Sequence, residues 1–157
     1  MQSPLFDWAY NPTFLSGFLA WMSAGVTKMI CFFVRTRQIR PSFLFSTGGM
    51  PSAHSSMAGA LVTSVAIREG MHTTLFAVTL AFSLVVMFDA QSVRQAAGMQ
   101  ARILNQIIDQ LFKERRFSEQ KLAELLGHTR LEVLMGMMMG VMVAFLVHAV
   151  QLFRTAA

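Results

Sequence analysis

The chain has 157 residues, 54% of them hydrophobic and only 13% charged, with a formal net charge of +5 at pH 7 and a mean hydropathy of +0.50. So apolar a chain of this size is not an ordinary soluble domain, and its basic surplus is read as belonging to a membrane face, with no nucleic acid partner expected. The single Cys31 excludes an internal disulfide.

The opening MQSPLFDWAYNPTF carries no Lys or Arg and contains Asp7, so it lacks the positive region of a cleaved signal peptide and is read as part of the mature chain. Its aromatic residues Phe6, Trp8, Tyr10 and Phe14 suit a membrane interface. A first span is predicted over Thr13 to Val34. It is apolar except for Lys28, which either faces a polar cavity or snorkels to the nearby interface. A basic, turn-rich connection follows, in which Gly48, Gly49 and Pro51 break any helix. A second helix is predicted from near Ser52 to Glu69, short and rich in small residues that allow close helix packing.

The third span is predicted over Thr74 to Phe88, and its continuation turns progressively polar, as a helix leaving the membrane does. There Ile103, Leu104, Ile107, Ile108, Leu111 and Phe112 recur at helical spacing. That stripe suits a membrane surface or a partner, and packing on the chain's own bundle is the favoured expectation. The last span is predicted over Leu131 to Phe153, with Gly136 and Gly140 as a small-xxx-small pair compatible with a homo-oligomer. The run Met135, Met137, Met138, Met139 and Met142 is read as packing rather than soft-metal transport, since consecutive residues cannot all face one pore. The expected fold is therefore all-α: a single domain over residues 1–157, a polytopic transmembrane bundle of about four spans with an extramembrane helix between spans three and four.

With four spans, the first and third connections share one face. They hold 11 of the 13 basic residues when Lys28 is counted with them, which leaves Arg68 and Arg154 for the other face. The positive-inside rule puts the crowded face in the cytoplasm and both termini outside, and a bacterial cytoplasmic membrane is the expected location.

Two constellations fall on that face. Residues Ser46 to Ser56, STGGMPSAHSS, place hydroxyls, two glycines and His54 in a loop that opens a helix. Glycine backbone N–H groups and a helix N-terminus suit a phosphate, although Ser52 serves equally as a plain helix cap. His128 and Glu132 stand four apart at the start of the last helix, where the carboxylate can fix the tautomer of an imidazole nucleophile. Thr129 and Glu132 also match a capping box, the plainer use of Glu132. A metal site from His54, His128 and Asp89 lacks tight ligand spacing and is not expected.

On these residues the chain resembles the type 2 phosphatidic acid phosphatase superfamily, which includes the vanadium-dependent haloperoxidases, and it is most similar to that superfamily's small, divergent membrane branch. Pro51-Ser52-Ala53-His54 is similar to the motif P-S-G-H, and His128-x3-Glu132 to the end of S-R-x5-H-x3-D with Glu for Asp. The strings STGGMPS-x-HS, FDA-x-x-VR and LGHT-x-x-EV of the divergent branch are all present. The resemblance spans essentially the whole chain. It implies a membrane lipid phosphatase acting on a lipid phosphomonoester or pyrophosphate through a phosphohistidine, without metal or other cofactor. In that scheme His128 attacks phosphorus, Glu132 orients it and His54 protonates the leaving oxygen. Ser52 and the backbone of Gly48 and Gly49 would hold phosphate oxygens, with Ser55 and Asp89 in support. The cationic clamp departs from the superfamily pattern: Leu122 stands where the third motif has Arg, and Phe33 where the first has Lys. Lys28, Arg37, Arg40 and Arg94 are the substitutes expected here. A lipid phosphate of the cytoplasmic leaflet, such as phosphatidylglycerol phosphate or phosphatidic acid, fits this sidedness, and a prenyl diphosphate is compatible. A non-enzymatic lipid-phosphate-binding membrane protein and a small transporter are the alternatives.

Overall fold

A computed structural model describes residues 10–38, 49–111 and 128–156. The described residues form helices α1 (Pro12–Thr36), α2 (Ala53–Glu69) and α3 (Thr74–Phe88), a π turn (Asp89–Val93), then α4 (Arg94–Leu111) and α5 (Arg130–Ala156). Each start has a local cause. Asn11 caps α1 by accepting from the Thr13 N–H at 2.9 Å with Pro12 in the first turn, Ser52 caps α2, and Thr73 caps α3 by accepting from the Phe76 N–H at 3.3 Å. Three helical stretches are long and apolar enough to cross a membrane: Pro12–Thr36, Thr74–Ile108 and Arg130–Ala156. Helix α2 has 17 residues, about 25 Å at the α-helical rise, and packs against α1, α3 and α5. The bundle is thus helical and membrane-type, with α2 as its shared inner element.

What sits inside is small. Ala20, Ala24, Ala58, Ala60 and Ala144 are buried together with Ser16, Ser55, Ser56, Ser64 and Ser83, whereas Val78, Phe82, Val85, Phe88, Phe145 and Leu146 point outward, each more than half exposed. In lipid there is no hydrophobic gain from hiding large side chains, so close packing of small residues and interhelical hydrogen bonds hold the bundle. The buried serines supply those bonds. Ser56 Oγ donates to the Ala20 carbonyl at 3.0 Å, tying α2 to α1, and Ser83 Oγ donates to the Ala58 carbonyl at 3.3 Å, tying α3 to α2. Near the opposite end, Ser64 Oγ donates to Thr13 Oγ1 at 3.0 Å and lies 2.7 Å from His148 Nε2, which joins α1, α2 and α5.

Gly136 and Gly140 are used within the chain. A Cβ at Gly136 would collide with the Ser52 carbonyl, and one at Gly140 with the Ser56 carbonyl, while a Cβ at Gly59 would lie 2.8 Å from the Met137 carbonyl. The small-xxx-small face of α5 is therefore the face that presses on α2. Among the described residues α4 touches the others mainly through the π turn, with Asn105 buried and Ile103, Leu104 and Ile107 about half exposed.

Candidate functional site

The chain alternates direction through α1, α2, α3 and α5, so the end of α1, the start of α2, the end of α3 and the start of α5 meet at one end of the bundle. Two backbone hydrogen bonds stitch that end together. The Ser52 N–H donates to the Glu132 carbonyl at 3.0 Å, and the His128 N–H donates to the Ala90 carbonyl at 3.1 Å. Ala90 lies in the π turn, and a wider turn of this kind breaks the regular ladder and leaves a carbonyl available for another partner. The FDA-x-x-VR string thus positions His128 through the backbone.

His128 is 2% exposed, and its Nδ1 lies 3.1 Å from Glu132 Oε2. The same carboxylate oxygen accepts from the Thr129 N–H at 2.9 Å, while the Glu132 N–H donates to Thr129 Oγ1 at 3.3 Å. Both uses of Glu132 anticipated from the sequence are therefore present at once: it completes a capping box and holds the imidazole. Engaging Nδ1 directs any chemistry of this ring to Nε2.

Ser52 is fully buried. Its Oγ accepts from the Ser55 N–H at 3.3 Å and from Ser55 Oγ at 3.0 Å, so both serines build the start of α2. His54, in the first turn of α2, is exposed. Gly49 has φ +87°, and nothing lies within 4 Å of where a Cβ would be, so its backbone conformation rather than crowding favours glycine. Arg37 caps the end of α1 with φ +56° and is exposed, and Asp89 opens the π turn, half-buried. Arg40, Gly48 and the side chain of Arg94 lie outside the described residues.

Lys28 is 4% exposed and lines a cleft between α1 and α5, within electrostatic reach of Glu132 on its far wall. It faces a cavity rather than snorkelling. The cleft, about 760 Å³, also takes Arg35 and Gly49 into its walls, and the rest of its lining is mainly sulfur-bearing or apolar. Sequence reasoning passed over Arg35, Cys31 and the methionines as site residues. The signal was present as periodicity: Lys28, Cys31, Phe32 and Arg35, and likewise Met135, Met138, Met139 and Met142, are spaced i, i+3, i+4, i+7, each set forming one helix face. Met137, from the same run, lies on the α2 side, its carbonyl against Gly59.

A family model described as the Divergent PAP2 family matches residues 9–143. The chain is also 37% identical over 143 residues to a protein of Bacillus subtilis (strain 168) described as the uncharacterized membrane protein YuiD, covering 84% of this chain and 90% of that relative. No solved structure matches.

Proposed function

This chain belongs to the divergent PAP2 family, and on that premise we propose that it is a membrane phosphatase that removes a phosphate group from a lipid through a covalent histidine intermediate. The observation that carries the reading is the buried His128 imidazole, fixed at Nδ1 by Glu132 at 3.1 Å and beside a cleft that holds the buried cation Lys28. His128 Nε2 attacks phosphorus, the bond from phosphorus to the lipid oxygen breaks, and His54 supplies the proton to that leaving oxygen. Water then attacks the phosphohistidine, inorganic phosphate departs, the imidazole is restored and the proton from water returns to His54. Glu132 stabilises the positive charge the ring gains, and Lys28, with Arg35, balances charge on the equatorial phosphate oxygens. The positive-inside rule, applied to the basic connections of the sequence, supports a cytoplasmic site in this reading, so that substrates come from the inner leaflet: phosphatidic acid, phosphatidylglycerol phosphate or a prenyl diphosphate.

The test is phosphate release by the purified chain in detergent from each of these lipids. Wild type is expected to release phosphate, His128→Ala to lose it by at least about 10²-fold, and His54→Ala by about 10²-fold. Unchanged release in His128→Ala refutes the nucleophile. One observation favours a second reading, binding of a lipid phosphate without turnover: Ser52, fully buried, is committed to capping α2. No release from any of these lipids, with saturable binding that Lys28→Met abolishes, selects that reading.

A further inference from the structure

We infer that the α1–α5 cleft is the seat of one hydrocarbon chain of the phosphate-bearing lipid, with the methionine face of α5 as its selecting wall. This rests on the lipid-phosphate reading of the site but asks a separate question, where the chain of the lipid lies. Several observations meet here. The cleft adjoins the site through Glu132, which holds the His128 imidazole and shares the cleft's walls with Lys28, Arg35 and the methionines. It is polar toward the end where α5 begins and apolar along α5, the polarity of an amphiphile with its anion at the bundle end. From Met135 to Met142 the wall descends about 10 Å at the helical rise, roughly the length of eight methylene groups. Met135, Met138 and Met142 are 42%, 54% and 61% exposed, so the wall is open to an entering chain. Concave, mainly apolar pockets with a few polar groups at one end are the usual form of a small-molecule site. Methionine side chains, unbranched and polarisable, adapt to chains of differing shape.

A second copy of the chain is a poorer occupant. Close helix approach needs small residues; the two glycines of α5, Gly136 and Gly140, already lie against α2, and the cleft face of α5 carries none. The cleft face offers long methionines and a buried lysine, which call for a flexible chain ending in an anion.

The test uses the full chain in phosphatidylcholine nanodiscs with phosphatidic acid carrying a diazirine midway along one acyl chain. After irradiation, mass spectrometry is expected to find the label on Met135 to Met142 and on α1 near Cys31. Excess unlabelled phosphatidic acid should compete, and diacylglycerol of the same chains should not. Met138→Trp and Met142→Trp, which fill the cleft from lipid-exposed positions, should each lower this labelling by about tenfold. Val85→Trp, on the exposed face of α3 and away from the cleft, should leave it unchanged. Label spread evenly over the outward residues of α3 and α5, or crosslinks between two chains in place of lipid adducts, would overturn the assignment. Labelling needs no turnover, so the two readings fail separately. His128→Ala that labels normally, from a wild type that releases no phosphate, sinks catalysis alone. Release from wild type with label elsewhere sinks the cleft.

Discussion

Replacing Gly140 by alanine adds one methyl group at the tightest point between α5 and α2. Its Cβ would collide with the Ser56 carbonyl and sit 2.8 Å from the Ala60 nitrogen, both backbone atoms of a helix that is itself packed against α1 and α3. Neither atom can swing aside, so α5 must move away from α2 as a body. Alanine gains up to about 1 kcal/mol over glycine in a helix interior, and overpacking against a rigid wall costs about 1–3 kcal/mol or more. The net expectation is a loss of about 2 kcal/mol. Gly17→Ala is the matched control. There the new methyl would meet Leu61 Cδ2 at 3.0 Å, the far end of a side chain that can shift by a few tenths of an ångström, so the variant should be neutral or stabilised by up to about 1 kcal/mol. Unfolding of both variants in mixed micelles titrated with a denaturing detergent measures the difference. If Gly140→Ala proves as stable as Gly17→Ala, the α2–α5 contact is not the rigid backbone junction described here.

Three further predictions concern single interactions. Glu132→Gln keeps an oxygen for the Thr129 N–H but loses the charge beside His128, so phosphate release should fall by about 10²-fold or more with the fold intact, whereas Glu132→Ala should also lose about 0.5–2 kcal/mol of stability with the cap; equal release by Glu132→Gln and wild type would remove the carboxylate from the mechanism. Ser64→Ala withdraws the hydroxyl shared by Thr13 and His148, and denaturation in micelles should show a loss of about 1–3 kcal/mol while phosphate release per folded molecule stays the same, because this junction lies at the other end of the bundle. In a Cys31→Ser background, a membrane-impermeant thiol reagent applied to intact cells should label Arg154→Cys and spare Arg37→Cys. The reverse pattern would turn the topology over and move the site outside.

Much of this molecule is written along the chain. Apolar runs of membrane length, capping residues such as Asn11 and Ser52, and a Gly-Gly-Met-Pro break fix where helices begin and end, because these are local effects of hydropathy and backbone geometry. The helices observed at Pro12–Thr36, Ala53–Glu69, Thr74–Phe88 and Arg130–Ala156 lie within a few residues of those expected. The pairing of His128 with Glu132 was legible too, since residues four apart share a helix face and the contact needs no partner from elsewhere. What pairs with what across the bundle was not legible. Gly136 and Gly140 advertise a close approach without saying to whom, and only packing shows that α2 takes it. The methionine run, read along the chain, cannot face one pore. In three dimensions Met137 turns to α2 and four others share a cleft wall with Lys28 opposite, because a helix sorts neighbours in sequence onto different faces. Sequence alone thus determined a helical membrane chain with a histidine and carboxylate at one end. The tertiary structure decided which helix sits at the centre, how Ala90 and Ser52 hold that end together, and that Lys28 looks into a cleft. Those outcomes depend on contacts between residues far apart in the chain, which no local periodicity records.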